Sequence, residues 1–155
     1  MHKVFRKSTA LLLTAVIAAS AVVVAAATAS TSKKAAGGDI CVLLPDTASS
    51  VRWEHFDKPA LVSAFKKAGV SYQITNADND AQKQKSQADQ CLGNGAKVLI
   101  EVMLDAGSAS AIEKAAKAKG VPSIDYDRQV PGGVASIYVS FDGGAVGVLQ
   151  GKGVV

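Results

Sequence analysis

From Asp39 onward, short apolar runs of the chain alternate with longer amphipathic stretches of about 12 to 16 residues. Runs of about five residues suit β-strands, and the stretches between them carry apolar side chains at helical spacing. Because parallel strands need a crossover connection of about a dozen residues, usually a helix, the alternation indicates βαβ units. The sequence therefore predicts an α/β fold with a doubly wound, mainly parallel, five-stranded sheet in the order 2-1-3-4-5.

Apolar runs, prolines and glycines set the predicted element boundaries. The predicted strands cover residues 40–44, 71–75, 98–102, 121–126 and 135–139. Two predicted helices cover residues 81–92 and 109–119, and a last helix begins at Asp142. An earlier helix contains Pro59 in its first turn and ends at Gly69. One face of that helix is predicted to pack inward, with Phe56, Ala60, Leu61, Ala64, Phe65 and Ala68.

The amino terminus predicts export of the protein. Residues 1–7 are basic, residues 11–27 are almost entirely apolar, and Ala27-Thr-Ala29 has the small-x-small pattern of a cleavage site. Residues 1–29 are therefore interpreted as a signal peptide, residues 30–38 as a flexible leader and residues 39–155 as one domain. The apolar run also approaches the roughly 20 residues that span a bilayer, so an uncleaved membrane anchor remains an alternative.

Charge argues against a nucleic-acid partner. The chain has 17 basic and 13 acidic residues, but three of the basic residues lie in the predicted signal. The mature part then has 14 basic and 13 acidic residues, a net charge of +1. No basic stripe of the kind that binds nucleic acid remains.

The two cysteines test the predicted strand order. In that order the second helix runs back over the first strand, which brings Cys91 at the helix end near Cys41 at the strand start. Cysteines of an exported protein favour a disulfide. Two separately buried thiols remain the alternative, because spacing alone does not establish the geometry.

Polar residues that follow the first and fourth strands are the candidate site. The stretch from Val121 ends with Asp127 and Arg128 at the carboxyl edge of the sheet, where open α/β sheets bind ligands. Arg52 and Trp53, the only tryptophan, follow the first strand. The plainer interpretations are a surface salt bridge for Asp127 and Arg128, and core packing for Trp53.

Three motifs of the chain can be compared with a known family. They are residues 50–54 (Ser-Val-Arg-Trp-Glu), residues 125–128 (Asp-Tyr-Asp-Arg), and residues 138–142 (Tyr-Val-Ser-Phe-Asp) followed by Gly147 and Leu149-Gln-Gly151. Together they resemble the xylose-binding group of periplasmic sugar-binding proteins. These proteins are type I substrate-binding components of ATP-binding-cassette (ABC) importers. The resemblance implies a two-lobed protein that binds a pentose or hexose between its lobes, with only the amino-terminal lobe present in residues 39–155.

The resemblance also implies roles for individual residues. Asp127 would accept hydrogen bonds from sugar hydroxyls, Arg128 would donate to a hydroxyl or the ring oxygen, Trp53 would stack on the sugar, and Arg52 would add donors. The implied partners are a monosaccharide and an ABC permease. The implied location is the periplasm or the outer face of the cell membrane.

Other function classes find little support in the sequence. His55 has no cysteine or second histidine near it, so no metal site is predicted. The glycine pairs lack the spacing of a phosphate-binding loop, and neither a catalytic triad nor a nucleophile elbow is present, so we predict no cofactor and no enzyme. The alternatives left open are a sensory or interaction module built on the same lobe, secreted or membrane-anchored, and a non-functional truncated remnant.

Overall fold

The structure is a computed structural model that describes residues 37–48 and 50–154. The predicted signal peptide, residues 1–29, and residues 30–36 of the predicted leader lie outside the described residues. Within the part that is described, no helix has the length and apolar character needed to cross a membrane.

Five parallel strands form one sheet. They are β1 (Ile40–Leu44), β2 (Tyr72–Asn76), β3 (Val98–Glu101), β4 (Ser123–Tyr126) and β5 (Ile137–Val139). Their order is β2-β1-β3-β4-β5, and every neighbouring pair is parallel. The predicted fold class and strand order are confirmed.

Helices connect the first four strands, a loop connects β4 to β5, and a fourth helix follows β5. Side-chain caps fix where three of these helices begin. The helices are α1 (Lys58–Ala68), α2 (Ala81–Asn94), α3 (Ala106–Ala118) and α4 (Gly143–Val154). The carboxylates of Asp80, Asp105 and Asp142 accept the backbone N–H of the third residue after each of them. The cap at Asp105 explains why α3 begins earlier than the predicted residue 109. Gly69 ends α1 in the left-handed conformation, as predicted.

The core lies on both faces of the sheet, as a doubly wound fold requires. On the face covered by α2 and α3, Cys41, Leu43 and Leu99 pack with Ile112. On the other face, Val42, Leu44, Trp53, Phe65 and Val102 form a second cluster. Alternate residues of β1 serve the two clusters, which is why this strand is apolar throughout.

The predicted inward face of the first helix is largely wrong. Phe65 is buried and Leu61 is partly buried, but Phe56 is 66% exposed and Ala60, Ala64 and Ala68 are exposed. The exposure of Phe56 follows from a π-helical turn at Trp53–Asp57 that precedes α1. A π-turn closes its hydrogen bonds one residue later than an α-turn, so it rotates Phe56 away from the core and Trp53 toward it.

Cys41 and Cys91 form a disulfide, with Cα atoms 6.1 Å apart. Cys41 lies near the start of β1, and Cys91 lies in the last turn of α2, which packs on that strand. Both residues are buried within the cluster beneath α2 and α3. The covalent bond therefore joins β1, an interior strand of the sheet, to a covering helix through the core.

Candidate functional site

The carboxyl edge of the sheet brings Arg52, Trp53, Asp127 and Arg128 together. All strands are parallel, so the chain leaving β1 and the chain leaving β4 emerge at the same edge. The π-turn that begins at Trp53 follows the loop after β1, and Asp127 directly follows β4. Two segments about 75 residues apart are thus placed in contact.

Arg52 is the centre of this site and pairs with two carboxylates. Its Nη1 lies 2.6 Å from Asp127 Oδ1, and its Nε lies 2.7 Å from Asp57 Oδ2. The Arg52 side chain is 29% exposed, and those of Asp57 and Asp127 are 13% and 18% exposed. Asp127 thus pairs with a partly buried cation from the other segment, Arg52, and the Arg128 guanidinium donates to Met103 O.

Three aromatic rings surround the Arg52 guanidinium. Its central carbon lies 4.7 Å from the ring centroid of Trp53, 5.1 Å from that of Phe141 and 5.9 Å from that of Tyr126. Distances below about 6 Å allow a cation–π attraction, which a planar guanidinium makes well. The rings and the two carboxylates hold the cation in one orientation at the edge of the sheet.

Burial and neighbouring charges shift the pKa of the Arg52 guanidinium in opposite directions. Burial lowers the pKa of Arg52, but its hydrogen bonds to Asp127 and Tyr126 and the charges of Asp127 and Asp57 outweigh burial and raise the pKa. The Tyr126 hydroxyl donates to Asp57 Oδ1 over 3.2 Å. Burial, with Asp57 nearby, raises the pKa of Tyr126, so its proton stays in place for that hydrogen bond.

Replacing Arg52 by alanine is expected to lower the free energy of unfolding by about 2 to 3 kcal/mol. The change leaves Asp57 and Asp127 without their cation, but partial exposure keeps the loss below the roughly 3 to 5 kcal/mol of a fully buried pair. Lys85→Ala is the matched control, because Lys85 forms an exposed ion pair with Asp89 in α2, worth about 0.3 to 0.5 kcal/mol. Urea unfolding measures both; equal losses would contradict the central role of Arg52.

Trp53 is 2% exposed and packs in the core, which is the plainer of its two interpretations. The Arg52 and Arg128 guanidiniums lie over its ring, at 4.7 and 5.5 Å from the centroid. A sugar could reach the ring face only if these cations moved aside. In this arrangement the indole backs the two arginines.

Backbone contacts fix Asp127 and Arg128. Asp127 has a φ of 69°, in the left-handed region that aspartate tolerates better than most residues. Its N–H donates to Val139 O over 2.7 Å, and its carbonyl accepts from the Tyr138 and Ser140 hydroxyls. Arg128 donates from Nη1 to Met103 O over 2.9 Å. Contacts with β5 and with Ser140 thus fix the backbone of Asp127, and the loop after β3 holds the Arg128 guanidinium.

A small pocket lies beside the Arg52–Asp127 pair. Its volume is about 160 Å³, and its lining comprises Arg52, Tyr126, Asp127, Val139, Ser140 and Phe141. Pockets that enclose a small molecule usually have roughly 300 to 1,000 Å³. The pocket offers a cation, an anion, a hydroxyl and aromatic surface, which together can contact a polyhydroxylated ring from one side.

Three buried carboxylates, which the sequence analysis did not single out, lie on the opposite face of β4 from Tyr126. Glu101 of β3, Glu113 of α3 and Asp125 of β4 are at most 3% exposed. The signal in the sequence was an acid inside each of two apolar strand runs, where burial is normally unfavourable for charge. We call these three residues the acid cluster.

The surroundings of the acid cluster favour the protonated form of its carboxyl groups. Burial, with the charges of Glu113, Asp125 and Asp105, raises the pKa of Glu101 to about 8. Burial and the neighbouring Asp125 raise the pKa of Glu113 to about 7, against backbone hydrogen bonds that lower it. Like charges in a low-dielectric site cannot all ionise without cost, so the cluster retains protons at neutral pH.

Comparison with known proteins places the chain in a family. A model of the periplasmic binding protein domain matches residues 40–155. The chain belongs to this family. The match covers every strand and helix described above. The relatives described next confirm the resemblance to sugar-binding members.

The relatives of this family member include sugar-binding proteins. A multiple sugar-binding periplasmic protein of Azospirillum brasilense is 33% identical over 70% of this chain, and the D-xylose-binding periplasmic protein of Escherichia coli is 29% identical over 67%. A solute-binding protein of an ABC transporter from Clostridium phytofermentans, solved with β-D-glucose, is 32% identical over 73% of this chain with a TM-score of 0.67. The matched part is 30%, 31% and 35% of these relatives, so the chain spans about a third of their length.

Proposed function

We propose that this chain is the amino-terminal lobe of an exported monosaccharide-binding component of an ABC importer. It would bind a pentose or hexose at the carboxyl edge of its sheet, without catalysis, for delivery to a membrane permease. The observation that carries the proposal is the pairing of Arg52 with Asp127 beside a pocket lined by polar and aromatic groups. The names of the relatives, which bind xylose and several other sugars, support a monosaccharide as ligand.

The proposed contacts follow from hydrogen-bond chemistry. The Asp127 carboxylate accepts from two adjacent sugar hydroxyls, since a carboxylate has about four acceptor positions and Arg52 occupies one. Arg128 binds Met103 O through one N–H, and its other N–H groups donate to a hydroxyl or to the ring oxygen. We propose that Trp53 contributes to sugar binding through the arginines that it backs, with direct stacking only after they move aside.

The proposal includes the organisation of the longer protein. Residues 1–29 direct export to the periplasm or the outer face of the membrane, residues 30–38 lead from this signal to the lobe, and residues 39–155 form the lobe. A second lobe completes the pocket from the other side, and hinge closure traps the sugar. The pocket's volume, about half the lower end of the usual range, fits a site of which one side is present.

Calorimetric titration with xylose, glucose, galactose and ribose tests this function. A half-site is expected to bind one of these sugars with a Kd of about 1 mM. Arg128→Ala is expected to weaken that binding at least about tenfold, because hydrogen bonds to a charged group are worth about 1.5 to 3 kcal/mol. The control is Lys97→Ala, which removes a 75% exposed cation near the amino end of β3. No heat from any of the four sugars with a folded sample would reject a working half-site.

A further inference from the structure

The acid cluster holds the loop that carries two of the proposed sugar contacts. We call residues 127–134 the connecting loop. The Val130 N–H donates to Asp125 Oδ2 over 2.8 Å. The Val134 N–H donates to Glu113 Oε2. The loop is thus fastened near its middle and at its end by carboxylates of β4 and α3.

The backbone conformation in the middle of the connecting loop allows the loop to approach the Glu113 carboxylate. The Gly133 N–H donates to Val130 O over 3.0 Å, which closes a turn through Pro131 and Gly132. Gly132 has a φ of 67°, as the third residue of a type II turn requires. A Cβ on Gly133 would lie 2.8 Å from Glu113 Oε1 and still closer to Oε2, so only glycine lets the loop approach this carboxylate.

The beginning of the connecting loop is the sugar site. Asp127 and Arg128 are its first two residues, and Arg128 reaches Met103 O, two residues after Glu101 of the acid cluster. Asp125 of the acid cluster lies in β4, two residues before Asp127 in the chain. Movement of the acid cluster therefore acts on Arg128 through its own loop and through the carbonyl that it binds.

The charges around the cluster make it sensitive to protons. The groups that act on Glu101 in the described part of the chain are the carboxylates of Glu113, Asp125 and Asp105, with no cation among them. Both oxygens of Glu101, Oε1 of Glu113 and Oδ1 of Asp125 are buried without a hydrogen-bond partner. When protons are present, these oxygens can share them. When they leave, like charges repel in a medium that screens them poorly.

We propose that Asp125 and Glu113 are positioning residues for the sugar site, and that loss of protons from the acid cluster loosens the connecting loop and with it Asp127 and Arg128. The proposal rests on the proposed sugar function for its effect on affinity. Its effect on the loop stands independently of any ligand. When the protons leave, each carboxylate accepts stronger hydrogen bonds from the loop, but burial and the neighbouring Asp125 outweigh that gain at Glu113. The net effect of deprotonation is therefore repulsion beneath the loop, so sugar affinity is expected to fall as the pH rises above neutrality.

Trp53 provides a readout that needs no sugar, because it is the only tryptophan and Arg128 lies over its ring. In the ligand-free chain, its fluorescence is expected to change with a midpoint between about pH 7 and 8, where Glu113 and Glu101 lose their protons. His55 lies two residues from Trp53 in the chain, so all samples carry His55→Gln to remove any contribution of its imidazole to the fluorescence.

Two substitutions of Asp125 distinguish a role in positioning the loop from a general effect on protein stability. Asp125→Asn keeps an oxygen for the Val130 N–H but removes a negative charge, so the fluorescence midpoint is expected to move down by about one pH unit. Asp125→Ala removes the acceptor, so its emission at pH 6 is expected to match that of the parent at pH 9. Asp89→Asn, at an exposed acid of α2, is the matched control and leaves the midpoint unchanged.

Sugar titrations of the same samples complete the test. The parent is expected to bind about tenfold more weakly at pH 9 than at pH 6, and Asp125→Asn to lose most of that difference. A midpoint equal in Asp125→Asn and Asp89→Asn, in folded samples, would overturn the proposal. Absence of sugar binding at every pH, with a midpoint that still responds to Asp125→Asn, would reject the sugar function and support the positioning of the loop.

Discussion

Glu101→Gln is expected to increase the free energy of unfolding above about pH 7 and to flatten its dependence on pH. Burial and neighbouring carboxylates raise the pKa of Glu101 in the folded state to about 8, from an ordinary value of 4.5. The folded protein therefore holds this proton more tightly than the unfolded chain. The resulting stability is fully present below about pH 4.5 and is lost as the pH rises toward 8.

The size of this effect is several kcal/mol, since each unit of pKa shift corresponds to about 1.4 kcal/mol. Glutamine has nearly the same volume and no charge to bury, and its N–H groups can donate to the unpartnered oxygens of Glu113 and Asp125. The parent protein also loses stability in strong acid, because hydrogen bonds lower the pKa of Asp39 and Asp105. Its maximum stability is expected at about pH 5.

Urea unfolding of the parent and of Glu101→Gln at intervals from pH 4 to pH 9 measures the effect. Glu54→Gln is the matched control: the hydrogen bond to Lys58 lowers the pKa of Glu54, so its removal should not flatten the curve above pH 5. Parallel curves for the parent and Glu101→Gln would show that Glu101 does not bind a proton preferentially in the folded state.

Reduction of the Cys41–Cys91 disulfide is expected to lower the free energy of unfolding by roughly 4 kcal/mol. The bond closes a loop with a sequence separation of 50, and a loop of this length restricts the unfolded chain by about that amount. Small domains have a total free energy of unfolding of about 5 to 15 kcal/mol, so the reduced protein would retain only a small part of its stability. This effect acts on the unfolded chain more than on folded contacts.

Thermal and urea unfolding with and without reductant measure this loss. A double variant, Cys41→Ala with Cys91→Ala, is the control, because its stability does not depend on reductant. Both sulfurs are buried, so free thiols are confirmed by labelling the unfolded protein. If the parent has the same stability with both thiols shown to be free, the disulfide contributes nothing to this fold.

Local sequence patterns explain which parts of the fold could be predicted. Apolar runs and the βαβ alternation predicted all five strands and their order. Boundaries shifted where hydrogen bonding decided them: Pro122 has no N–H to pair, so β4 begins at Ser123 instead of residue 121. The prediction for Phe56 was wrong because this residue lies in the π-turn before α1, where α-helical spacing does not apply.

By itself, the sequence determined which elements form, that they build a parallel sheet, and that Arg52, Trp53, Asp127 and Arg128 lie near its carboxyl edge. These follow from periodicity and from the common direction of parallel strands, which are properties of short segments. The tertiary structure alone decided that Arg52 pairs with Asp127, that Trp53 is buried, and that three carboxylates meet beneath the site. Such contacts join segments that are far apart in the chain, so sequence spacing does not show which residues will be partners. Packing, desolvation and charge in the folded protein select the partners.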